Sequence, residues 1–239
     1  ALPDGALPVV IPSYNGARQL PNLVPLLALL LAREGVPVFI HGVTRDPGRV
    51  STREVLEALS IQPSMSAGDA RMRLADTRIA FMPIEVMAPQ LAATLALRAA
   101  LGLRNSAHTL VKMLQPFAGP AVRLVSVTHP EYLTRMTEFF TTHDSDALIL
   151  RGAEGEAVAH PRREPATVWA HEGVSEVWTD ESTGARVAPQ LPQNREAETT
   201  ARWIEAVLEG TIAIPATIAH QVTCCKRAID SVRGHGSAP

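Results

Sequence analysis

The 239 residues are 46% hydrophobic and 19% charged, and the mean hydropathy of +0.07 is close to zero. This composition predicts a globular chain with one substantial core and excludes the disordered and fibrous classes. The formal net charge is −2, so a polyanion could be bound only by locally clustered arginines and not by the overall field.

No membrane or export signal stands out in the sequence. The longest apolar run, residues 23–32, is interrupted by Pro25 and is shorter than the ~20 residues that a membrane span needs. Cys224 and Cys225 are adjacent, which suits neither an ordinary structural disulfide nor a zinc site. We therefore expect a cytoplasmic protein with no membrane partner.

Short apolar runs predict strands at residues 7–11, 36–40, 79–82, 122–127 and 147–150. Helical patterns separate them, first at residues 21–34 and then at residues 51–59, where Ser51 and Glu54 have capping-box spacing. Buried strands that alternate with helices indicate an α/β fold, with a central mostly parallel sheet flanked by helices.

The later elements suggest a second, smaller layer. Further helices are predicted at residues 89–101, 105–114, 130–143, 199–209 and 215–229, and a hairpin at residues 167–178. We expect residues 1–82 and 117–239 to form the two parts of the α/β domain, and residues 83–116 to be helical-domain or hinge helices. Because the chain starts with Ala1 and enters a strand almost at once, we also expect a missing N-terminal helical segment.

The turn after the second strand has the outline of an anion site. Arg45 and Arg49 precede the helix that begins at Ser51, and Arg53 lies in its first turn. Free N–H groups and the helix dipole at such a start favour an anion. The alternative is that Asp46 and Glu54 pair with these arginines at the surface.

Two further candidates are basic. His41 ends the second strand, where ligands of open α/β sheets gather, although a lone histidine there more often makes a structural hydrogen bond. Arg104, His108 and Lys112 recur every four residues and predict one basic stripe if the helix begins near Arg104. A merely solvated helix face is the alternative.

Two loops could hold a phosphate or a metal ion. After the first strand, Tyr14 could stack on a base and Arg18 could hold a phosphate, although a plain strand-to-helix turn is as good an interpretation. After the strand at 147–150, Glu154 and Glu156 could bind Mg²⁺ together with a phosphate. Salt bridges to the nearby Arg151, Arg162 and Arg163 would explain these carboxylates more simply.

Three segments together resemble the anthranilate phosphoribosyltransferase family, which belongs to glycosyltransferase family 3. They are Ile40-His41-Gly42 with the helix that follows, residues 97–104 running on to Pro116, and Val127-Thr128-His129-Pro130-Glu131. The resemblance implies the nucleoside phosphorylase/phosphoribosyltransferase fold, in which an α/β domain and a smaller helical domain enclose the active site. It also implies phosphoribosyl pyrophosphate and Mg²⁺ as ligands, and a homodimer formed through the helical domain.

The departures from this family fall on its catalytic parts. Where the family has Gly-Thr-Gly-Gly-Asp, whose backbone wraps the pyrophosphate, this chain has Pro12-Ser13-Tyr14-Asn15-Gly16. The family's Asp-Glu metal pair aligns best with Ala157-Val158, although Glu154 or Glu156 could replace it with a shift. A site that stabilises a diphosphate leaving group with Mg²⁺ needs those ligands, so the classical transfer reaction is not expected.

The groups that are retained are mostly basic, and in this the chain is similar to the YbiB-like branch of the family. That resemblance implies binding of nucleic acid without an evident transfer reaction. We therefore expect a homodimer without a cofactor that binds single-stranded or non-specific DNA or RNA. The phosphate contacts would come from Arg18, His41, Arg45, Arg49, Arg53, Arg98, Arg104, His108 and Lys112. The alternative is a Mg-dependent phosphoribosyltransferase with His41 at the acceptor and Glu154 or Glu156 on the metal.

Overall fold

The computed structural model describes residue 2, residues 5–181 and residues 188–235. The strands in these residues are β1 Val9–Ser13, β2 Val38–Gly42, β3 Ile79–Pro83, β4 Val122–Ser126, β5 Ala147–Leu150, β6 Thr167–His171 and β7 Val174–Thr179. They form one sheet in the order β3-β2-β1-β4-β5-β6-β7. β1 to β5 run parallel, and β6 and β7 add an antiparallel hairpin at one edge.

Helices cover both faces of this sheet. They are α1 Val24–Arg33, α2 Thr52–Ala58, α3 Ala67–Asp76, α4 Ile84–Met87, α5 Pro89–Leu101, α6 Ala107–Leu110, α7 Pro130–Thr142, α8 Ala197–Leu208 and α9 Ala216–His235. On one face, α1 contacts α2, α8 and α9. On the other face, α3 packs against β2 and β3, while α7 packs against β5 and β6.

The core follows the alternation of side chains along the buried strands. Ile11 and Ile40 belong to the larger cluster, together with the apolar residues of α1, α8 and α9. Their neighbours in sequence, Val10 and Phe39, face the opposite way and pack with Leu74 of α3. Burial on both faces explains why these strands read as continuous apolar runs rather than as an alternating pattern.

The predicted α/β fold, with its mostly parallel sheet, is confirmed, and differences appear at element ends. β1 begins at Val9 and continues through Pro12 to Ser13, beyond the predicted end at Ile11. The missing N–H of Pro12 is tolerated because β1 pairs with β4 only at Val9 and Val10. α3 was not predicted, since only Ala70 and Leu74 of its ten residues are buried and its sequence shows no apolar stripe.

The predicted helix over residues 105–114 is wrong in extent. α6 covers only Ala107–Leu110, and a 3₁₀ turn follows at Val111–Met113. The Asn105 side chain accepts a bond from the N–H of Ala107, which makes a turn there and leaves Arg104 outside the helix. The division into residues 1–82, 83–116 and 117–239 stays a prediction.

None of the helices in the described part of the chain combines the length and the apolar character that crossing a membrane requires.

Candidate functional site

The polar loops of the chain meet at the carboxyl ends of β1, β4 and β5. β1 and β4 are neighbours at the point where the strand order reverses, which is where open α/β sheets bind their ligands. The loop after β1, residues 14–20, contacts the loop after β5, residues 151–156, through two carboxylates. We call this contact the loop clamp.

Glu156 forms the buried half of the loop clamp. The residue is 3% exposed, and its Oε1 accepts bonds from the N–H groups of Asn15 and Gly16, each at 2.6 Å. Asn15 returns a bond, since its Nδ2 donates to the Gly155 carbonyl at 2.5 Å. Burial raises the pKa of Glu156, and the Ser13 hydroxyl, the two N–H groups and Lys112 oppose that rise.

Glu154 forms the outer half of the loop clamp. Its Oε2 accepts bonds from the N–H groups of Arg18 at 2.7 Å and Leu20 at 3.3 Å, and its Oε1 accepts from Gln19 at 3.0 Å. Convergent backbone N–H groups of this kind are the usual donors to a bound anion. In this chain the anion that they bind is a side chain of the chain itself.

An unusual backbone turn aims both carboxylates at the loop. Glu154 has φ +53° and Gly155 has φ +86°, so two consecutive residues are left-handed. Such a conformation is strained for glutamate and persists only when surrounding contacts hold it. At Gly155 a Cβ would lie 2.3 Å from Asn15 Nδ2, so only glycine fits beneath Asn15.

Two arginine side chains donate hydrogen bonds to the backbone carbonyl groups of the same loop. Arg49 Nη1 donates to the carbonyls of Asn15 at 3.0 Å and Gly16 at 3.3 Å. Arg195 donates to the carbonyl of Arg18 and, at 3.0 Å, to that of Gly48. Arg195 was missed in the sequence, where it follows a proline-rich stretch with no motif to single it out.

Asp46 is the counter-charge of this cluster. It is buried, and its Oδ2 lies 3.0 Å from Arg98 Nη1 and 3.7 Å from Arg49 Nε. The predicted alternative of pairing with Asp46 therefore holds for Arg49, and also for Arg98. Among the residues that the structure describes, Glu54 makes no ion pair with an arginine, and it completes the capping box of α2 with Ser51.

Three of the predicted arginines have guanidinium groups that are free to bind a ligand. Arg18, Arg45 and Arg104 are exposed, and within the described residues their guanidinium groups make no hydrogen bond or ion pair. Partial burial, followed by repulsion from Arg98 and Arg49, lowers the pKa of Arg104. Asp46 and Glu156 oppose this change in the pKa of Arg104. We call Arg18, Arg45, Arg49, Arg98 and Arg104 the arginine rim.

The structure does not bring Lys112 to this rim. Its Nζ donates to the carbonyl of Ser126 at 2.8 Å and faces that of Gly155 at 3.4 Å. Burial lowers the pKa of Lys112 to about 8, and attraction to Glu156 opposes the shift. Lys112 therefore supports the loop clamp from below, and the expected stripe with Arg104 and His108 is broken.

His41 is enclosed in the sheet. It is 0% exposed, its Nδ1 lies 2.6 Å from the Tyr14 hydroxyl, and burial lowers its pKa to about 3. The same burial, with Glu85 and Glu156 nearby, raises the pKa of Tyr14 far above its usual value. Neutral and covered, His41 makes the structural hydrogen bond that was its alternative, and Tyr14, at 4% exposure, presents no face to a base.

The other predicted residues lie at the margin. Arg53 pairs with Glu57 at 2.5 Å along α2, so its charge is already matched. His108 lines a cavity of about 350 Å³ between α5 and the loop at 43–47, together with Arg45 and Arg98. Burial lowers the pKa of His108, and the Asn105 backbone opposes the change.

A second cavity of about 350 Å³ opens beside the outer half of the loop clamp. Its lining contains both signs of charge. The residues include Glu154, Glu164 and Glu181 as well as Arg151, His160 and Arg163, and Gln19 and Leu20 lie beside them. Arg151 pairs with Glu181, which also borders the cavity. Glu154 thus lines an open cavity, and its carboxylate accepts bonds from the N–H groups of residues 18–20.

The carboxylates do not fit the magnesium site that the family resemblance implies. Both oxygens of Glu154 and the Oε1 of Glu156 accept bonds from backbone N–H groups. Glu156 Oε2 has no partner in the described residues but is buried, whereas Mg²⁺ takes several oxygen ligands and keeps bound waters. Across the described residues, no group of three or more His, Cys, Asp and Glu side chains could hold a metal ion.

Comparisons with known proteins give consistent relatives. No protein-family model matches the chain. It is 44% identical over 221 residues to the uncharacterized protein YbiB of Escherichia coli, covering 92% of this chain and 68% of that protein. It is 28% identical over 207 residues to an anthranilate phosphoribosyltransferase of Synechococcus, of which it spans 55%.

Solved structures agree on the fold. The crystal structure of anthranilate phosphoribosyltransferase from Thermus thermophilus matches with a TM-score of 0.70 at 25% identity, over 92% of this chain and 66% of that one. The Saccharomyces cerevisiae enzyme in complex with PRPP and Mg matches with a TM-score of 0.70 at 14% identity, over 95% and 65%. The latter likeness shows the fold alone.

Replacing Gly155 with alanine tests the packing of the loop clamp. We expect Gly155→Ala to lower the free energy of unfolding by about 1–3 kcal/mol more than Gly210→Ala, because overpacking adds to the strain. Gly210 has a similar φ of +82° but open space around it, so it controls for the backbone strain. Urea denaturation of both variants gives the difference, and equal losses would contradict the tight contact with Asn15.

The enclosed His41 predicts a pH dependence of stability. Its folded pKa of about 3 lies below the ordinary value of 6.5, so between these values the unfolded chain binds one more proton. The unfolding free energy therefore falls as the pH drops through this window, by up to about 1.4 kcal/mol per pH unit. Urea unfolding of the parent and of His41→Gln from about pH 7 to pH 5 should show a steeper fall in the parent; equal slopes would mean that His41 is protonated in the folded chain.

Proposed function

Since this chain belongs to the anthranilate phosphoribosyltransferase-like family and its YbiB branch, we propose that it binds nucleic acid through phosphate contacts. The ligand is single-stranded or otherwise flexible DNA or RNA, bound without sequence preference. The observation that carries the proposal is the arginine rim, where exposed guanidinium groups of Arg18, Arg45 and Arg104 have no partner in the described residues.

The charge balance supports a phosphate ligand at the rim. The whole chain has a net charge of −2, yet around Asp46 the arginines outnumber the acids. Arg49 and Arg98 share that one carboxylate, and Arg104 has no acid of its own in contact. A phosphate backbone would supply the missing negative charge, and guanidinium groups bind phosphate in a bidentate manner.

We expect no sequence preference, because the arginine rim offers contacts to phosphates but no aromatic side chain that stacks on a base. Phosphate contacts position a nucleic acid but do not read its bases. Tyr14, the aromatic residue in the loop after β1, is buried against His41 and offers no stacking surface. Binding would therefore depend on backbone charge and would weaken with salt.

The proposal extends to location and assembly. We propose a cytoplasmic protein that needs no cofactor to bind nucleic acid and that acts as a homodimer formed through its helical part. The exposed side chains of Leu97, Leu101 and Leu103 at the end of α5 support an apolar contact there, because a run of large exposed apolar residues favours association.

Charge reversal at the rim tests nucleic-acid binding. We expect Arg45→Glu and Arg104→Glu each to weaken binding of single-stranded oligonucleotides by a similar factor for different sequences. For each lost phosphate contact, the slope of log affinity against log salt should fall by about 0.7. Arg49 is left in place because it also holds the loop after β1.

The matched control is Arg73→Glu, which makes the same charge change on α3. Arg73 lies near the end of α3 that leads into the start of β3, at the edge of the sheet opposite to the rim. Fluorescence anisotropy at several salt concentrations measures all three variants. Affinity that is absent at low salt, or equally reduced by Arg73→Glu, would refute a specific role of the rim.

The second candidate is a Mg-dependent phosphoribosyltransferase. The relatives named anthranilate phosphoribosyltransferase favour it, as does the fold match to the enzyme solved with PRPP and Mg. In this reading His41 would lie near the acceptor, and Glu154 or Glu156 would have to leave its backbone donors to hold Mg²⁺. The occupied loop clamp weighs against it.

Calorimetry with phosphoribosyl pyrophosphate, with and without Mg²⁺, separates the two candidates. We expect no one-to-one binding, since the N–H groups that could hold a diphosphate are bonded to Glu154 and Glu156. Stoichiometric binding that requires Mg²⁺ would favour the transferase.

A further inference from the structure

We propose that Glu154 and Glu156 decide which phosphate ligands this cleft accepts: their carboxylates fill a two-lobed anion site in the loop after β1 and so exclude a diphosphate. The inference rests on the proposed phosphate-binding role of the cleft and names what the cleft rejects. Without these two side chains, the same N–H groups would bind the two linked phosphates of a diphosphate.

The first support is the arrangement of donors. One lobe consists of the N–H groups of residues 15 and 16 around Glu156, and the other of those of residues 18, 19 and 20 around Glu154. The two lobes are adjacent in sequence, and each holds one anionic group. Backbone donors that hold a carboxylate serve equally for a phosphate, so a ligand with two linked phosphates matches this arrangement.

The second support is independent of the hydrogen bonds. The cavity beside Glu154 is open and is bordered by Arg151, His160 and Arg163. A small anion can therefore enter this cavity and reach the Glu154 side chain. Arg163 adds positive charge to the lining, whereas Arg151 is already paired with Glu181, and Glu164 adds a further carboxylate. Glu154 lines this cavity and its carboxylate accepts bonds from the N–H groups of residues 18–20.

The third support is strain. Glu154 has φ +53°, a conformation that costs a residue with a Cβ free energy, of the order of 1 kcal/mol. The three hydrogen bonds that its carboxylate receives offset this cost and hold the turn. The contacts of the Glu154 carboxylate therefore hold a turn that its backbone conformation alone disfavours.

The variant Glu154→Gly empties the outer lobe, which can then take one phosphate of a diphosphate while Glu156 still occupies the inner lobe, and it relieves the strained φ at the same time. Glu172→Gly is the matched control, because Glu172 is also left-handed, with φ +50°, and lies in the turn between β6 and β7, outside the cleft. Both variants remove one negative charge and one Cβ. A difference between them therefore reports the emptied lobe and not the charge or the backbone.

The probe is inorganic pyrophosphate, titrated into the full chain by calorimetry. We expect one-to-one binding to Glu154→Gly at least tenfold tighter than to the parent or to Glu172→Gly, together with a rise in its melting temperature with pyrophosphate concentration. If folded Glu154→Gly binds no more tightly than the parent, or if the parent itself binds one pyrophosphate as tightly, the inference is wrong.

If Glu154→Gly does not fold, Glu154→Gln tests whether the charge of Glu154 excludes pyrophosphate. It keeps the shape of the side chain but removes its charge, so pyrophosphate should compete with it more easily than with glutamate, and no gain over the parent would overturn the inference. Oligonucleotide binding by the parent is measured in parallel. Its absence would refute nucleic-acid binding alone, whereas the pyrophosphate result concerns Glu154 alone.

Discussion

The loop clamp is the constraint on which the rest of the cleft depends. Glu156 is buried, and a buried carboxylate that loses its donors leaves an uncompensated charge, which costs several kcal/mol. The N–H groups of Asn15 and Gly16 therefore cannot move away from it without a large loss of stability. Arg49 and Arg195 bind the carbonyls of the same loop, so its N–H and C=O groups are satisfied from within the chain. The loop after β1 is a fixed part of the scaffold.

This arrangement separates the charges of the cleft into an inner acidic layer and an outer basic layer. The glutamates face inward onto backbone donors, and Lys112 compensates Glu156 from below. The guanidinium groups of Arg18, Arg45 and Arg104 face solvent. Because interactions between exposed charges fade beyond a Debye length of about 8 Å at physiological salt, a ligand at the rim responds to these arginines rather than to the net charge of −2. A negatively charged protein can thus present a positive surface to a polyanion.

Much of this fold could be predicted from local patterns, but the pairing of groups within the cleft could not. The capping box at Ser51 and Glu54 and the strand at Ala147–Leu150 appear in the structure as predicted, since each depends on neighbours in sequence. The partners of Glu156 lie about 140 positions away, and no local pattern encodes such a contact. His41 shows the same limit: its place at a strand end was correctly predicted, but its burial depends on Tyr14 and on the neighbouring strands. Position along a strand therefore indicated where ligands could gather, but not which side chains were free to bind them.

The side chains after β1 and the glutamates after β5 are connected by one physical requirement. A loop with side chains at Ser13, Tyr14 and Asn15 cannot approach a diphosphate as closely as a glycine-rich loop does. The N–H groups of Asn15 and Gly16 are buried, and an unpaired buried donor is costly. Acceptors must therefore come from elsewhere in the chain, and the left-handed turn at Glu154 and Gly155 brings two carboxylates to them. Replacing Ser13, Tyr14 and Asn15 with glycine would not by itself free these backbone donors, because the carboxylates of Glu154 and Glu156 would still occupy them.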